Sequence, residues 1–357
     1  MNLTPVIEIT ESCNLSCTFC LRPTFEIPIM SIETLEKVIS YILEASEDRV
    51  DFVWHGGEPL IAGIDFFKKI KEFQSKYNPN NLKILNDIQT NGTLLTKEFI
   101  TFFEKEGFTI GTSIQGTRNI HDHSRVDKNG NPSFDRVIKN ISGLNKKPYA
   151  VMVLTKEVLG KEKEIYYEMK KQVRGFRISE YFPRKRSAAN QKVMDPLMPT
   201  SQEYTQSIKE FYRIWKEDPE PIEIKPITEF IKALVKGKCG GCLYSQQTCN
   251  FSVIGVKTNG DFYTCLRGID KNNFIGNVND KPLRDHETSA QKRMKERTDS
   301  LKEGQCKNCE FWNQCNGGCP QESFLLYGDI KHRSFYCSGR KALLEEIQKD
   351  LRETYEF

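Results

Sequence analysis

Twelve cysteines occur in this chain of 357 residues, and their distribution is the tightest constraint on what it can fold into. Cys13, Cys17 and Cys20 stand together near the start; Cys239, Cys242, Cys249 and Cys265 form a second group; Cys306, Cys309, Cys315, Cys319 and Cys337 form a third. None lies between Cys20 and Cys239. Disulfides would suit a secreted protein, but the opening Met1-Asn2-Leu3-Thr4-Pro5 has no basic region followed by an apolar stretch. No signal peptide is therefore expected, and the expected location is cytoplasmic. In a reducing compartment, clustered thiols more often bind metal than each other.

The cysteine-free stretch reads as short apolar runs alternating with amphipathic helices. Strands are expected at 6–10, 50–54, 83–88, 108–113, 149–154 and 176–181. After the first comes a helix that Ser31 caps, with Leu35, Val38, Ile39, Ile42 and Leu43 at helical spacing. Later helices carry Phe66, Phe67, Ile70 and Phe73, then Phe99, Ile100 and Phe103, then Val137, Ile138, Ile141 and Leu144. Six strand–helix units imply parallel strands with right-handed crossovers, in either an open doubly wound sheet or a full or partial barrel. Both place chemistry at the carboxyl ends of the strands. Thr200 and Glu203 form a capping box for a further helix, a domain boundary is expected near Lys225, and Asn259-Gly260 signals a hairpin. The Cys-rich text beyond Lys238 is too short to bury a large core and is expected to fold around metal.

With 38% hydrophobic and 28% charged residues and no apolar run near the ~20 residues of a membrane span, membrane and disordered classes are excluded. A net charge of +4 without a basic stripe argues against a nucleic-acid partner.

The first thiols read C-x3-C-x2-C directly behind the first strand. A four-iron cluster takes one thiolate per iron, so three thiols leave one iron open. A structural zinc would want four closed ligands, and the nearest histidine, His55, comes from the next strand. This motif resembles the signature of radical S-adenosylmethionine (SAM) enzymes, which place it after the first strand of a partial (β/α)6 TIM-type barrel. Gly56-Gly57-Glu58-Pro59 is similar to that family's SAM-binding loop. Gln89-Thr90-Asn91-Gly92, Ser113-Ile114-Gln115-Gly116 and Arg125 extend the match. The resemblance implies that Gly56, Gly57, Glu58, Pro59, Asn91, Ser113 and Arg125 contact SAM. It also implies reductive cleavage of SAM to methionine and a 5′-deoxyadenosyl radical that takes a substrate hydrogen. Gln115 stands where the family often has Asp and is given no role; His121 is expected to be a loop histidine satisfied by a neighbouring carboxylate.

The carboxyl-terminal spacing resembles the SPASM extension of radical SAM enzymes that modify peptides and proteins. The resemblance implies two auxiliary four-iron clusters, one held by Cys242, Cys249, Cys265 and Cys319, the other by Cys306, Cys309, Cys315 and Cys337. Cys239 is left over. The implied division is a barrel with its connecting helix over 1–225 and the auxiliary cluster domain with a terminal helix over 226–357. Soft thiolate-only sites suit iron–sulfur clusters, and full ligation favours electron transfer.

The nearest layout is that of anaerobic sulfatase-maturing enzymes, which form formylglycine. Those enzymes place an Asp, used as a base, after the cysteine matching Cys265, where this chain has Leu266 and Arg267. The first expectation is therefore a maturase that crosslinks or otherwise oxidises a ribosomally made peptide, with formylglycine formation as the alternative. An iron–sulfur electron carrier or zinc scaffold is the alternative of another class. Expected partners are a peptide or protein substrate, a flavodoxin or ferredoxin electron donor and a separate leader-binding protein, because the cluster motif starts at Cys13. The Arg184-Lys185-Arg186 loop is suited to an acidic leader.

Overall fold

The computed structural model describes residues 2–21, 28–183, 195–238, 253–267, 273–280 and 284–355. In chain order the first elements are β1 (Thr4–Thr10), α1 (Ile32–Glu44), β2 (Arg49–Gly56), α2 (Ile64–Lys76), β3 (Lys83–Thr90), α3 (Lys97–Lys105) and β4 (Phe108–Ser113). There follow α4 (Arg118–Ser124), α5 (Phe134–Ile141), β5 (Tyr149–Val153), α6 (Glu162–Gln172), β6 (Gly175–Ser179), α7 (Ser201–Glu217), β7 (Glu223–Lys225) and α8 (Ile227–Lys236). The last are β8 (Val253–Val256), β9 (Asp261–Tyr263), β10 (Phe274–Asn277), α9 (Arg284–Glu303), α10 (Trp312–Cys315), α11 (Pro320–Tyr327) and α12 (Cys337–Tyr355). The chain is mixed α/β with mostly parallel strands and a Cys-rich carboxyl-terminal part. No helix among the described residues is long and apolar enough to cross a membrane.

Two compact units are present. The first comprises Met1–Ile114, Asp122–Tyr149 and Asn250–Arg293, the second Gln115–His121, Ala150–Cys249 and Met294–Phe357. In the first, β1, β2, β3 and β4 pair in parallel in sequence order. The Ser31 side chain accepts from Thr34 N at 3.0 Å, and Leu35, Val38, Ile39, Ile42 and Leu43 are buried, as the helical spacing requires. The expected hairpin is formed: β8 and β9 are antiparallel around the Asn259-Gly260 turn, where Gly260 has φ +83°. Its first strand also pairs in parallel with β1, Val6 opposite Gly255 and Ile7 opposite Val256.

Register divides the strand residues into two rows, because successive side chains point to opposite faces. Ile7, Trp54, Ile88 and Ile110 lie in one row. That row faces the helices: Trp54 Nε1 donates to Asn86 Oδ1 at 2.9 Å, and Gln74 of α2 donates to the same oxygen at 2.8 Å. Phe67 on α2 meets Phe103 on α3 edge-on at 5.1 Å, within a buried aromatic cluster that includes Phe99 and Phe108. Such pairs contribute about 0.5–1.5 kcal/mol each beyond their buried area. The opposite row holds Glu8 beside His55, Val53 beside Asp87 and Gln89 beside Gly111. Glu8, His55, Asp87 and Gln89 thus share the face turned away from the helix layer, while Asn86 belongs to the helix-facing row.

In the second unit, β6 and β7 pair in parallel. The expected capping box is present at Thr200 and Glu203. Helices α7 and α12 are tied by Tyr212, whose hydroxyl donates to Asp350 at 2.7 Å. Beneath α6, Asp218 accepts from Tyr166 Oη at 2.5 Å and from Lys170 Nζ at 2.6 Å.

Candidate cluster and cofactor site

The three early thiols sit on a loop that leaves β1 at its carboxyl end. Backbone bonds hold it on two sides: Gly57 N donates to Thr10 O at 2.7 Å and Glu58 N to Ser12 O at 2.9 Å. Ser16 N donates to Val126 O at 2.7 Å and Thr18 N to Ser124 O at 2.9 Å. The glycines after β2 follow from this closeness. A Cβ on Gly57 would stand 2.2 Å from the Ser12 carbonyl oxygen, and one on Gly56, whose φ is +146°, would stand 2.1 Å from that of Thr10. Both glycines therefore let the second strand's loop press against the base of the first.

Glu58 is fully buried. Its Oε1 accepts from Leu60 N at 3.0 Å and Thr90 Oγ1 at 2.7 Å, and its Oε2 accepts from Asn91 N at 2.7 Å. It thus locks the ends of β2 and β3 together, and Pro59 opens a 3-10 turn that the same carboxylate caps. Burial pushes its pKa from 4.5 up to about 7, against the pull of the Asn91, Thr90 and Leu60 donors. Because the folded value exceeds the unfolded one, this group's contribution to stability is fully present below pH 4.5 and is lost as pH rises to about 7. Urea unfolding between those pH values is expected to show a decline that Glu58→Gln removes, on the order of 3 kcal/mol. An unchanged slope in the variant would contradict this.

Asn91, at the end of β3, places its Nδ2 2.8 Å from Asn14 Oδ1 and 3.8 Å from the Cys13 sulfur. Arg125 is buried, stacks over Phe19 at 4.9 Å and directs Nη1 to the Cys17 sulfur at 4.0 Å. Its Nε is buried without a hydrogen-bond partner. Ser113 Oγ, at the end of β4, accepts from Gln89 Nε2 at 3.3 Å. A cavity of about 570 Å³ opens beside the loop, lined by Cys13 together with Thr10, Ser12, Asn14, Ile61 and Asp127.

The three thiols lie close enough that Cys17 and Cys20 raise Cys13, and Cys20 raises Cys17, electrostatically. Burial is the larger cause: it pushes Cys13 up to about 11, with Glu58, Cys17 and Cys20 adding to the rise. Burial also raises Cys17, opposed by Arg125. Desolvated thiols beside one cation and one amide donor form a site short of positive charge on the thiolate side, which a bound metal cluster would supply. Among the described residues no three His, Cys, Asp or Glu side chains are placed around a single ion. An iron–sulfur cluster puts each thiolate on a different iron, so its ligands need not converge on one point.

The third cysteine group is partly assembled. Cys306 senses Cys337 and Cys309, and Cys315 senses Cys337 and Cys306. Burial pushes both Cys306 and Cys315 up to about 11. Cys306 and Cys309 pack with Leu301 and Trp312. Of the other expected set, Cys242 and Cys249 lie outside the described residues, as do Cys239 and the Arg184-Lys185-Arg186 loop. Cys265 follows β9 in the first unit, its sulfur accepting from Arg267 N at 3.4 Å. Cys319, in the second unit, caps α11 and packs on Phe182. Leu266 packs on β8, where a Cβ on Gly255 would lie 2.4 Å from its Cγ.

Three features escaped the reading of the sequence. His121 stands on α4 rather than in a loop, is fully buried, and its Nδ1 accepts from the Gln115 backbone N–H at 3.2 Å. Gln115 itself donates to Val153 O at 2.5 Å and accepts from Val153 N at 3.2 Å, replacing a strand ladder bond with a side chain. Lys257, just past β8, pairs with Glu8 Oε2 at 2.6 Å and with Glu11. A glutamate inside the apolar run Val6-Ile7-Glu8-Ile9 was the available signal, but its partner is distant in sequence.

The family model described as the Radical SAM superfamily matches residues 7–164. A cysteine-type anaerobic sulfatase-maturating enzyme of Clostridium perfringens is 27% identical over 362 residues, covering 94% of this chain and 93% of that protein. A serine-type counterpart from Bacteroides thetaiotaomicron is 28% identical over 364 residues, covering 92% and 84%. The structure of native anSMEcpe with bound AdoMet and Cp18Cys peptide superposes with a TM-score of 0.88 at 25% identity, covering 99% of each chain. With three thiols on the loop after β1, residues 7–164 form a radical SAM domain, in a chain similar over nearly its whole length to sulfatase-maturating enzymes.

Proposed function

We propose that this enzyme oxidatively matures a peptide or protein substrate in the manner of the sulfatase-maturating enzymes it resembles, converting a Cys or Ser side chain to an aldehyde. The observation that carries this reading is the co-location of Cys13, Cys17, Cys20, Asn91 and Arg125 at the carboxyl ends of parallel strands, in a chain similar to those enzymes along its whole length. Cys13, Cys17 and Cys20 hold a four-iron four-sulfur cluster, and Gly56, Gly57, Glu58, Pro59, Asn91, Ser113 and Arg125 frame SAM. When bound, cluster and SAM together supply reductive cleavage and a hydrogen-abstracting radical. The chain's residues fix the loop, shield the thiols from water and set a cation beside Cys17.

The substrate loses one hydrogen atom, then one proton and one electron, the electron passing to an iron–sulfur acceptor. Serine then becomes the aldehyde directly, and cysteine does so after water displaces sulfide. Leu266 offers no proton acceptor, and this favours a second reading, crosslinking of a ribosomally made peptide. Anaerobic incubation with SAM, dithionite and a peptide carrying a single Cys, or its Ser counterpart, separates the two. A product captured by a hydrazine reagent supports aldehyde formation; loss of two hydrogens without capture refutes it and supports a crosslink.

The auxiliary ligands are Cys242, Cys249, Cys265 and Cys319 for one cluster and Cys306, Cys309, Cys315 and Cys337 for the other. Reconstitution is expected to yield about twelve irons per chain, whereas about four would refute both auxiliary sites. A flavodoxin or ferredoxin supplies the electron, and a separate leader-binding protein belongs to the crosslinking reading alone.

A further inference from the structure

One buried cation in the second unit belongs to none of the roles above. Arg340, on the first turn of α12, is 1% exposed. Its Nε donates to Glu180 Oε1 at 2.8 Å and its Nη2 to Glu180 Oε2 at 2.5 Å, a two-pronged grip on one carboxylate. The same Nη2 reaches Glu322 Oε2 at 3.2 Å. Both carboxylates are themselves fixed. Tyr204 Oη donates to Glu180 at 3.2 Å, while Ser334 Oγ donates to Glu322 at 2.8 Å and Phe335 N donates to it at 2.6 Å.

The remaining edge of the guanidinium faces the cysteines. A Cβ on Gly318 would lie 2.0 Å from Nη1, so only glycine leaves room for it there. Gly318 N donates to Cys315 O at 2.9 Å, so this pocket sits on the Cys315 loop, and the guanidinium pulls the Cys315 thiol down against the rise that burial imposes. Arg297 and Arg333 lie near Cys306, but Arg297 spends its donors on backbone carbonyls, including Gly318 O at 2.9 Å. A buried ion triad contributes little net stability compared with apolar residues of similar volume. What the triad does achieve is to hold one cation immobile against one thiol.

We propose that Arg340 is a positioning residue for the cluster held by Cys306, Cys309, Cys315 and Cys337, donating a hydrogen bond to Cys315 and easing that cluster's one-electron reduction. The physics is direct: reduction adds one negative charge to an already anionic group, and a fixed cation and an N–H on a ligating sulfur both stabilise the added charge. Glu180 and Glu322 hold the guanidinium in place. No bond is made or broken; one electron enters from an external low-potential reductant. The inference rests on the assignment of that auxiliary cluster.

The test uses the reconstituted full chain, with Arg340→Gln and Arg340→Lys compared by iron content, circular dichroism and an anaerobic redox titration followed by electron paramagnetic resonance. At the wild-type midpoint, Arg340→Gln with its full iron complement is expected to show a reduced-to-oxidised ratio at least about tenfold lower for one auxiliary cluster, equivalent to about 59 mV. The cluster on Cys13, Cys17 and Cys20 should be unmoved. Arg340→Lys keeps the charge but loses the fork, so an intermediate shift is expected; it carries the test should the glutamine variant not fold. Unchanged potentials in an iron-replete variant, or equal shifts in all clusters, overturn the proposal. A wild-type protein with only about eight irons and no signal from this thiol set refutes the cluster assignment itself, and with it the inference.

Discussion

Cys17→Ala is expected to reduce release of 5′-deoxyadenosine to background when the enzyme is incubated anaerobically with SAM and dithionite. Each iron of the first cluster takes one thiolate, and the loop offers only three, so no spare ligand can replace the lost one. The substitution removes little else. The Cys17 carbonyl still accepts from Cys20 N at 3.1 Å, and the loop keeps its bonds from Ser16 N and Thr18 N to Val126 and Ser124. Arg125 loses its sulfur contact but retains its stacking on Phe19. The folded chain should therefore persist with the auxiliary thiols intact, and iron content should fall by about four per chain. Chromatography of the reaction mixture, paired with an iron assay, reads both. Undiminished release would refute the assignment of Cys17.

Gly57→Ala should be nearly as damaging without touching a ligand. The added methyl would stand 2.2 Å from Ser12 O and 2.5 Å from Glu11 O, both main-chain atoms that no side-chain rotation can move. Either β2's loop or the cluster loop must shift, and the bonds from Gly57 N to Thr10 O and from Glu58 N to Ser12 O are lost with it. Overpacking of this kind costs about 1–3 kcal/mol, which a chain of this size survives. The thiol loop takes the displacement directly, because Cys13 follows Ser12. We expect a folded protein with 5′-deoxyadenosine release lowered by about tenfold or more and with iron lost from the first site. Gly63→Ala is the comparison: its φ is +76°, but nothing lies within 4 Å of the added carbon, so its iron content should be unchanged. Equal behaviour of the two variants would show that the close approach of Gly57 to Ser12 does not govern the site.

The strand–helix succession was legible because it is local. Ser31 and Thr200 cap helices with their own neighbours, and Leu35, Val38, Ile39, Ile42 and Leu43 mark a buried face by spacing alone. The three thiols after β1 were legible for the same reason, since they stand within a few residues of one another on one loop. The hairpin at Asn259-Gly260 was read correctly, but its pairing with β1 was not, because nothing near Val253 names a partner at Thr4. Glu58 was expected among the SAM contacts; what the structure shows is a fully buried lock between Leu60, Thr90 and Asn91, and no local spacing could announce its bonds to Thr90 and Asn91. Lys257 with Glu8, and Arg340 with Glu180 and Glu322, were invisible for want of any periodicity linking the partners.

Residue spacing by itself determined the fold class, the grouping of three thiols on one loop after β1 and the resemblance to radical SAM enzymes, because thiol count and helical period are properties of short segments. Tertiary structure alone decided that Gly56 and Gly57 are required by a backbone contact and that Asn91 and Arg125 meet Cys13 and Cys17. It also decided that a buried arginine lies against Gly318, on the loop that carries Cys315. These are encounters between distant segments, and their energy comes from burial and electrostatics that exist only once the chain has closed around them.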